Sequence, residues 1–265
     1  MLSKLKTNIL NKIPDNNRYE RIWKIAQVDF KKRYFNTKLG LLWALINPLF
    51  RLFVFYFVFA WIGRMRGDNF GIYIFGALIV WMSFMETTSA GIRLLHAKKY
   101  LLMNIQFNKL DLFISNTTAG FMGFLFNLVA YMIISIGVGI PIIPDIVWLP
   151  LLVINLYILT LGVSLILAVI NIYLKDIHHV WSMYSLLGFW TMPSIFPMER
   201  FTGYLEILLW INPVAGILVN IRNILFYGKP IEWKFFFYNF ALAILFYLIG
   251  EYLLNKHWQN SLEKA

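Results

Sequence analysis

Long apolar stretches alternate along this chain with short charged or proline-containing breaks. Six of them approach or exceed the roughly 20 apolar residues that a helix needs to cross a bilayer core. They run over Leu41 to Ile62, Ile72 to Ile92, Leu112 to Ile140, Trp148 to Leu174, Val180 to Pro197 and Phe235 to Leu254. The third and fourth are longer than a crossing requires, which implies tilt or a helical extension beyond the bilayer. Between them, Pro141 to Asp145 holds two prolines and predicts a turn. Ahead of the first stretch, Tyr19, Trp23, Ala26, Phe30 and Tyr34 recur at steps of three and four, with Arg21, Lys24, Lys31 and Lys32 largely off that stripe. This is the pattern of an amphipathic helix with a basic face, suited to lie along an anionic leaflet or to dock a partner.

One further apolar stretch, residues 210–230 (WINPVAGILVNIRNILFYGKP), does not read as a simple crossing. Pro213 removes a helical hydrogen bond, and Arg222 at mid-membrane is costly unless it faces protein or water. A re-entrant pair of short helices near 200–230 fits these residues, as does a helix lying at the interface. The expected architecture is therefore all-α and polytopic. Residues 1–40 form a cytoplasmic segment carrying the amphipathic helix, and residues 41–265 form a single transmembrane domain of six spans with the re-entrant pair before the last.

Composition agrees, since 60% hydrophobic and 14% charged residues exclude an ordinary soluble domain. The chain has no cysteine, which excludes disulfides and thiolate metal sites. A cleaved secretory signal is not expected, because the first apolar stretch starts behind a long charged segment. Ten of the 24 lysines and arginines precede that stretch. Arg93, Lys98, Lys99 and Lys109 fill the second connection, Lys175 the fourth, and Lys256 and Lys264 follow the last stretch. Six spans put all of these on one side, which the positive-inside bias makes cytoplasmic, together with both termini. A seventh span would send the C-terminal tail outside.

Charges also fall inside predicted spans. Arg51 and Glu86 are placed at depths that differ by about one helical turn, so they are candidates for an intramembrane ion pair. Alternatively, Arg51 snorkels and Glu86 faces a polar cavity. The histidines, His96, His178, His179 and His257, lie in predicted cytoplasmic segments and form no local metal site. No metalloprotease, nucleophile-elbow or phosphate-cradling motif is present, because Gly228-Lys229 is followed by Pro230 and lacks the upstream glycine. Energy for any transport has to come from a partner or a gradient.

Five segments carry a family resemblance: VDFKKRYFNTKLGLLWALINPL (28–49), YIFGALIVWMSF (73–84), NIYLKDI (171–177), MPSIFP (192–197) and LLWINPVAGILVNIRNIL (208–225). In this order and spacing the chain resembles permease subunits of polysaccharide and polyol-phosphate ABC exporters, along nearly its whole length. The resemblance implies two copies of the chain forming a channel for a lipid-linked O-antigen, capsular or teichoic-acid-like polymer in a bacterial cytoplasmic membrane. Separate ATPase subunits bind ATP and Mg, this chain holds no cofactor, and no nucleic acid is expected as a partner.

By the same resemblance, Asp29, Arg33, Tyr34, Gly40 and Trp43 match the interface helix and its lead into the first span. The basic 93–110 connection, with Lys98 and Lys99, matches the coupling helix. Lys175-Asp176 stands where the family commonly has Arg-Asp, and Asn108 where it commonly has proline. Asn212, Pro213 and Arg222 match the short helices that close the outer end of the channel. Phe189, Trp190 and Phe196 are candidates for sugar-stacking residues along the route, with lipid packing as their plainer role. Two rival readings remain at this point: an ABC exporter permease for drugs or lipids, and a polytopic enzyme acting on a polyprenyl-linked glycan.

Overall fold

A computed structural model describes residues 17–35, 38–64, 67, 69–99, 108–141 and 143–257. The chain forms α1 (Arg18–Tyr34), α2 (Leu42–Tyr56, continued by a π-helical turn Phe57–Ile62), α3 (Phe70–Ile92), α4 (Lys109–Gly137), α5 (Leu149–Tyr173) and α6 (Ile177–Trp190). It ends with α7 (Glu206–Ile211), α8 (Ala215–Arg222, continued by Asn223–Tyr227) and α9 (Trp233–Lys256). Among the described residues, five helices are long and apolar enough to cross a membrane: α2, α3, α4, α9, and α5 together with its leading turn from Pro144. The chain is a multi-pass membrane protein.

Local chemistry sets several boundaries. Asn17 caps α1 by accepting from the Glu20 amide at 3.4 Å, and Lys31, Lys32 and Arg33 occupy its last turn, where cations suit the helix dipole. Asn108 caps α4 through the Leu110 amide at 3.1 Å, so asparagine here does work that a proline side chain cannot. Between α1 and α2 the backbone turns at Gly40 with φ of +51°, a conformation that costs glycine little.

The core of the bundle is α3 and α5 with the inner half of α4 and the buried α8 (Ala215–Arg222), and α9 packs on α5 along one face. Helices α5 and α9 run parallel at a near-constant register. Trp148 meets Trp233 at 5.2 Å between ring centroids, and the Tyr173 hydroxyl meets His257 Nδ1 at 2.7 Å at the other end. Between those points the backbones nearly touch: a Cβ on Gly162 would lie 2.5 Å from the Tyr247 amide nitrogen, and one on Gly250 would lie 2.9 Å from the Gly162 carbonyl oxygen. Small residues at such crossings let dispersion replace the hydrophobic drive that lipid does not supply.

The parallel pair decides the topology of everything between them. The chain leaves α5 at one end of the bundle and starts α9 at the other, so the intervening segment crosses an odd number of times. Helix α6 makes that crossing antiparallel to α3. Arg93 meets His178, Trp181 Nε1 donates to Thr88 Oγ1 at 3.0 Å, Trp81 Nε1 donates to the Ser185 carbonyl at 3.1 Å, and the Tyr73 hydroxyl donates to the Phe196 carbonyl at 3.0 Å. The fifth predicted span needs a correction, however. Its helix begins at Ile177 and stops at Trp190, too short to cross alone, and an irregular Thr191–Pro197 segment completes the path. Pro193 and Pro197 explain the unwinding, because each lacks an N–H and each disfavours helical backbone in the residue before it.

Helices α7 and α8 then form a pair bent by 98°, counting α7 with its leading turn from Gly203 and α8 with its π-helical turn. Since α6 already crosses, this pair enters and returns on the same end. Its tip lies beside α9 near Tyr238, whose hydroxyl donates to the Trp210 carbonyl at 2.8 Å. That is roughly 8 Å along α9 from Trp233. The last turns of α3, α5 and α9 share the end that also carries α1, called here the near end; the helix pair sits at the far end.

A crossing by α6 with a re-entrant α7–α8 pair fixes an accessibility pattern. Single cysteines at Tyr204, which is 99% exposed, and at Val147 should react with an impermeant reagent from one face of the membrane, and one at Asp176 from the opposite face. Labelling of the Tyr204 and Asp176 positions from the same face would refute it.

Candidate functional site

Two polar constructions hold the bundle at its two ends. At the far end, Arg222 is 2% exposed and meets no carboxylate. Its guanidinium instead donates to three backbone carbonyls: Pro193, Ser194 at 2.7 Å and Tyr73 at 2.7 Å. It also stacks on the Tyr73 ring, 3.5 Å from the centroid. The planar fork of arginine suits this task, since several fixed N–H groups can serve acceptors that unwound backbone leaves orphaned. The cost of Arg222 in a membrane is thereby met by protein, and the same contacts shape the irregular stretch after α6.

The neighbouring break is built in the same way. Asn212 Nδ2 donates to the Gly188 carbonyl at 2.8 Å and to Thr191 Oγ1 at 3.1 Å, while its Oδ1 accepts from the Val214 amide at 3.1 Å. Pro213 sits in the turn between α7 and α8, where no helical hydrogen bond is lost. Asn220, not singled out from the sequence, exchanges two hydrogen bonds with the Glu232 backbone at 2.7 and 3.3 Å and pins α8 to the start of α9. Thus Asn212, Pro213 and Arg222 do converge on one construction, the clamp between the helix pair and the end of α6.

At the near end, α1 packs along α4 and does not stand apart as a surface helix. Arg18 and Arg21 pair with Asp111 at 2.9 and 3.4 Å, and Lys98 pairs with Asp29. Asp111 is fully buried, and sequence reasoning missed it. An acidic residue opening a span beside a basic connection was the available signal. Burial pushes the Lys98 ammonium below its ordinary pKa and Asp29 pulls the other way. Tyr34 is buried against Gly123, and Arg33 hydrogen-bonds its hydroxyl. Only part of the predicted apolar stripe is used for this packing. Ala26 and Tyr34 are buried, whereas Tyr19 and Trp23 remain exposed.

Lys99 is half-buried beside Lys98, and Lys175 and Asp176 are exposed at the same end, where Asp176 opens α6. Residues 100–107, the middle of the basic connection, lie outside the described residues. The near end therefore carries Asp29, Lys98, Lys99, Lys175 and Asp176, while Gly40 makes the turn between α1 and α2.

Two expectations are corrected. Arg51 and Glu86 form no ion pair; among the described residues the ion pairs are the three at Asp111 and Asp29. Arg51 is exposed, and Glu86 faces a cavity of about 270 Å³ that it shares with Arg33. Phe189 does not present a free face: it is 6% exposed and stacks on Phe55 at 5.3 Å. Trp190 is 40% exposed, and Phe196 is half-buried with Arg200 over its ring.

With this geometry in place, comparison with known proteins assigns the class. The family model described as ABC-2 type transporter matches residues 20–226, and the chain belongs to that family. It is similar to O-antigen export system permease proteins RfbA. One from Klebsiella pneumoniae is 23% identical over 235 residues, 88% of this chain and 90% of that protein. Another, from Myxococcus xanthus, is 24% identical over 204 residues, covering 76% and 78%. The family is that of a transport subunit.

The clamp and the near-end pairs make separate predictions. Arg222→Ala should cost about 3–5 kcal/mol of stability by orphaning buried carbonyls, with Arg222→Lys recovering part of it, both read by thermal unfolding in detergent. Lys98→Asp and Asp29→Lys should each weaken the seating of α1, and the double exchange should restore it, read as protection of α1 from protease.

Proposed function

We propose that the chain is the permease subunit of an ABC exporter for a lipid-linked polysaccharide. The observation that carries this reading is the similarity to O-antigen export permeases over nearly the full length of both partners. The near end is taken as cytoplasmic, because the lysines and arginines flanking the spans collect there. On that face Asp29, Lys98, Lys99, Lys175 and Asp176 would receive a separate ATPase, which binds ATP and Mg. Both termini would then be cytoplasmic, and the α7–α8 pair would lie on the outer side as a gate.

A second copy of the chain completes the pathway. Only 6% of the α2 span is buried, against 72% for α3, and α2 presents Phe50, Phe53, Phe57 and Trp61 outward. Adjacent α6 does the same with Met183, Leu186, Leu187 and Trp190. Two such faces would enclose a route lined by aromatic and aliphatic side chains, against which sugar faces can stack. ATP would act by differential affinity for the arrangement in which the two ATPase subunits meet. Residues 1–40 would serve docking, and residues 41–265 transport.

Co-expression tests this reading. The chain should copurify with an ABC ATPase whose turnover depends on it, and the pair should restore surface polymer to a cell lacking its own exporter permease. Turnover of a polyprenyl-linked sugar by the isolated chain, without the ATPase, would instead make it an enzyme.

A further inference from the structure

The cavity that holds Glu86 is not part of either construction above. It lies between α1, the start of α2, α3 and α4, and Arg33, Glu86, Asn47, Ser83, Thr87 and Asn127 supply its polar lining. Its volume of about 270 Å³ corresponds to roughly nine waters of liquid, far more than a packing defect. Glu86 is six residues from the near-end terminus of α3 at Ile92, or roughly 9 Å along the helix. With the end of α3 at the membrane surface, that distance lies close to the boundary between headgroups and acyl chains.

Two features of the lining are unbalanced. An anion and a cation, Glu86 and Arg33, share the cavity, yet among the described residues no ion pair joins them. Glu86 is exposed to this space and Arg33 half-buried beside it, so the two charges stand apart with room between them for a group that carries both complementary charges. In addition, Ser83 Oγ, Thr87 Oγ1 and Asn127 Oδ1 are buried without hydrogen-bond partners, and Thr87 is fully buried. Buried polar atoms are ordinarily satisfied; Thr87 Oγ1 packs against Gly120, which leaves Ser83 Oγ and Asn127 Oδ1 in the cavity wall to point to an occupant.

We propose that this cavity binds the headgroup of a phospholipid carrying a primary ammonium and a phosphate, of the phosphatidylethanolamine type. The phosphate faces the Arg33 guanidinium, which can donate. The ammonium faces Glu86 and Asn127 Oδ1, which only accept once Glu86 is ionised. Acceptors of that kind need N–H groups on the ligand, which ethanolamine has and choline lacks. The site lies on a different side of α3 from the Arg222 clamp and does not depend on the nature of the exported substrate.

Native mass spectrometry of the full chain in detergent, with equal amounts of phosphatidylethanolamine and phosphatidylcholine of identical acyl chains, tests the proposal. The wild-type chain should retain the ethanolamine lipid about tenfold over the choline lipid, the scale of one charge-assisted hydrogen bond. Glu86→Gln should bring that ratio close to one. Ser83→Leu, which fills the space and keeps both charges, should lower retention of the ethanolamine lipid. Thermal unfolding separates binding from folding: added ethanolamine lipid should raise the wild-type midpoint and leave that of Glu86→Gln unmoved, with the two variants alike in its absence. Free phosphoethanolamine is the control for the source. Displacement of the lipid by it at equal concentration would overturn the lipid assignment, and failure to displace supports it. Equal retention of the two lipids by the wild-type chain, or an unchanged ratio in Glu86→Gln, would overturn the proposal and leave a water-filled cavity.

Discussion

A guanidinium seated on three backbone carbonyls holds the far end of this protein together. Membrane interiors tolerate non-helical backbone only where protein satisfies its polar groups, and Thr191–Pro197 is such backbone. Arg222 and Asn212 supply the missing donors from a different part of the sequence. The dependence is mutual, because Arg222 could not be buried without those carbonyls, and the carbonyls could not be buried without Arg222. Withdrawing α8 alone would orphan several groups at once, so α8 and the end of α6 are bound to move as one piece.

The near end follows a different rule. Its ion pairs tie the basic helix α1 to Asp111 of α4 through Arg18 and Arg21, and to Lys98 through Asp29. Asp111 is buried and paired with two arginines, so breaking one partner leaves the carboxylate still compensated by the other. Asp29 and Lys98 have one ion pair between them, which makes that link the simpler one to perturb. Helix α1 is consequently fastened firmly at its start and more lightly near the basic connection.

Much of this was legible in the sequence because lipid imposes a length and a polarity on every crossing. Five of the six spans emerged within a few residues of their observed ends, and Pro213 with Arg222 announced the bent pair. The fifth span was misjudged in character, since apolarity continues through Met192-Pro193-Ser194-Ile195-Phe196 whether or not the backbone stays helical. Hydropathy reports burial and says nothing of hydrogen bonding. Side-chain partners were read less well. Arg51 and Glu86 were matched by depth alone, but pairing also needs a shared helix face, and Arg33 from α1 reached the cavity instead. Asp111 opens a span beside a basic connection, but the sequence does not show that α1 packs along α4 and supplies its partners.

The parallel course of α5 and α9 carries a consequence for how the chain is assembled. Neighbouring antiparallel helices can zip together as soon as the short turn between them is made, but parallel partners must wait for a full excursion through α6, α7 and α8. Until α9 emerges, the Gly162 notch on α5 faces lipid or a temporary companion. Packing of the central pair is thus a late event, and a chain stopped before residue 233 would hold most of its spans in the bilayer while lacking the partner that closes its core.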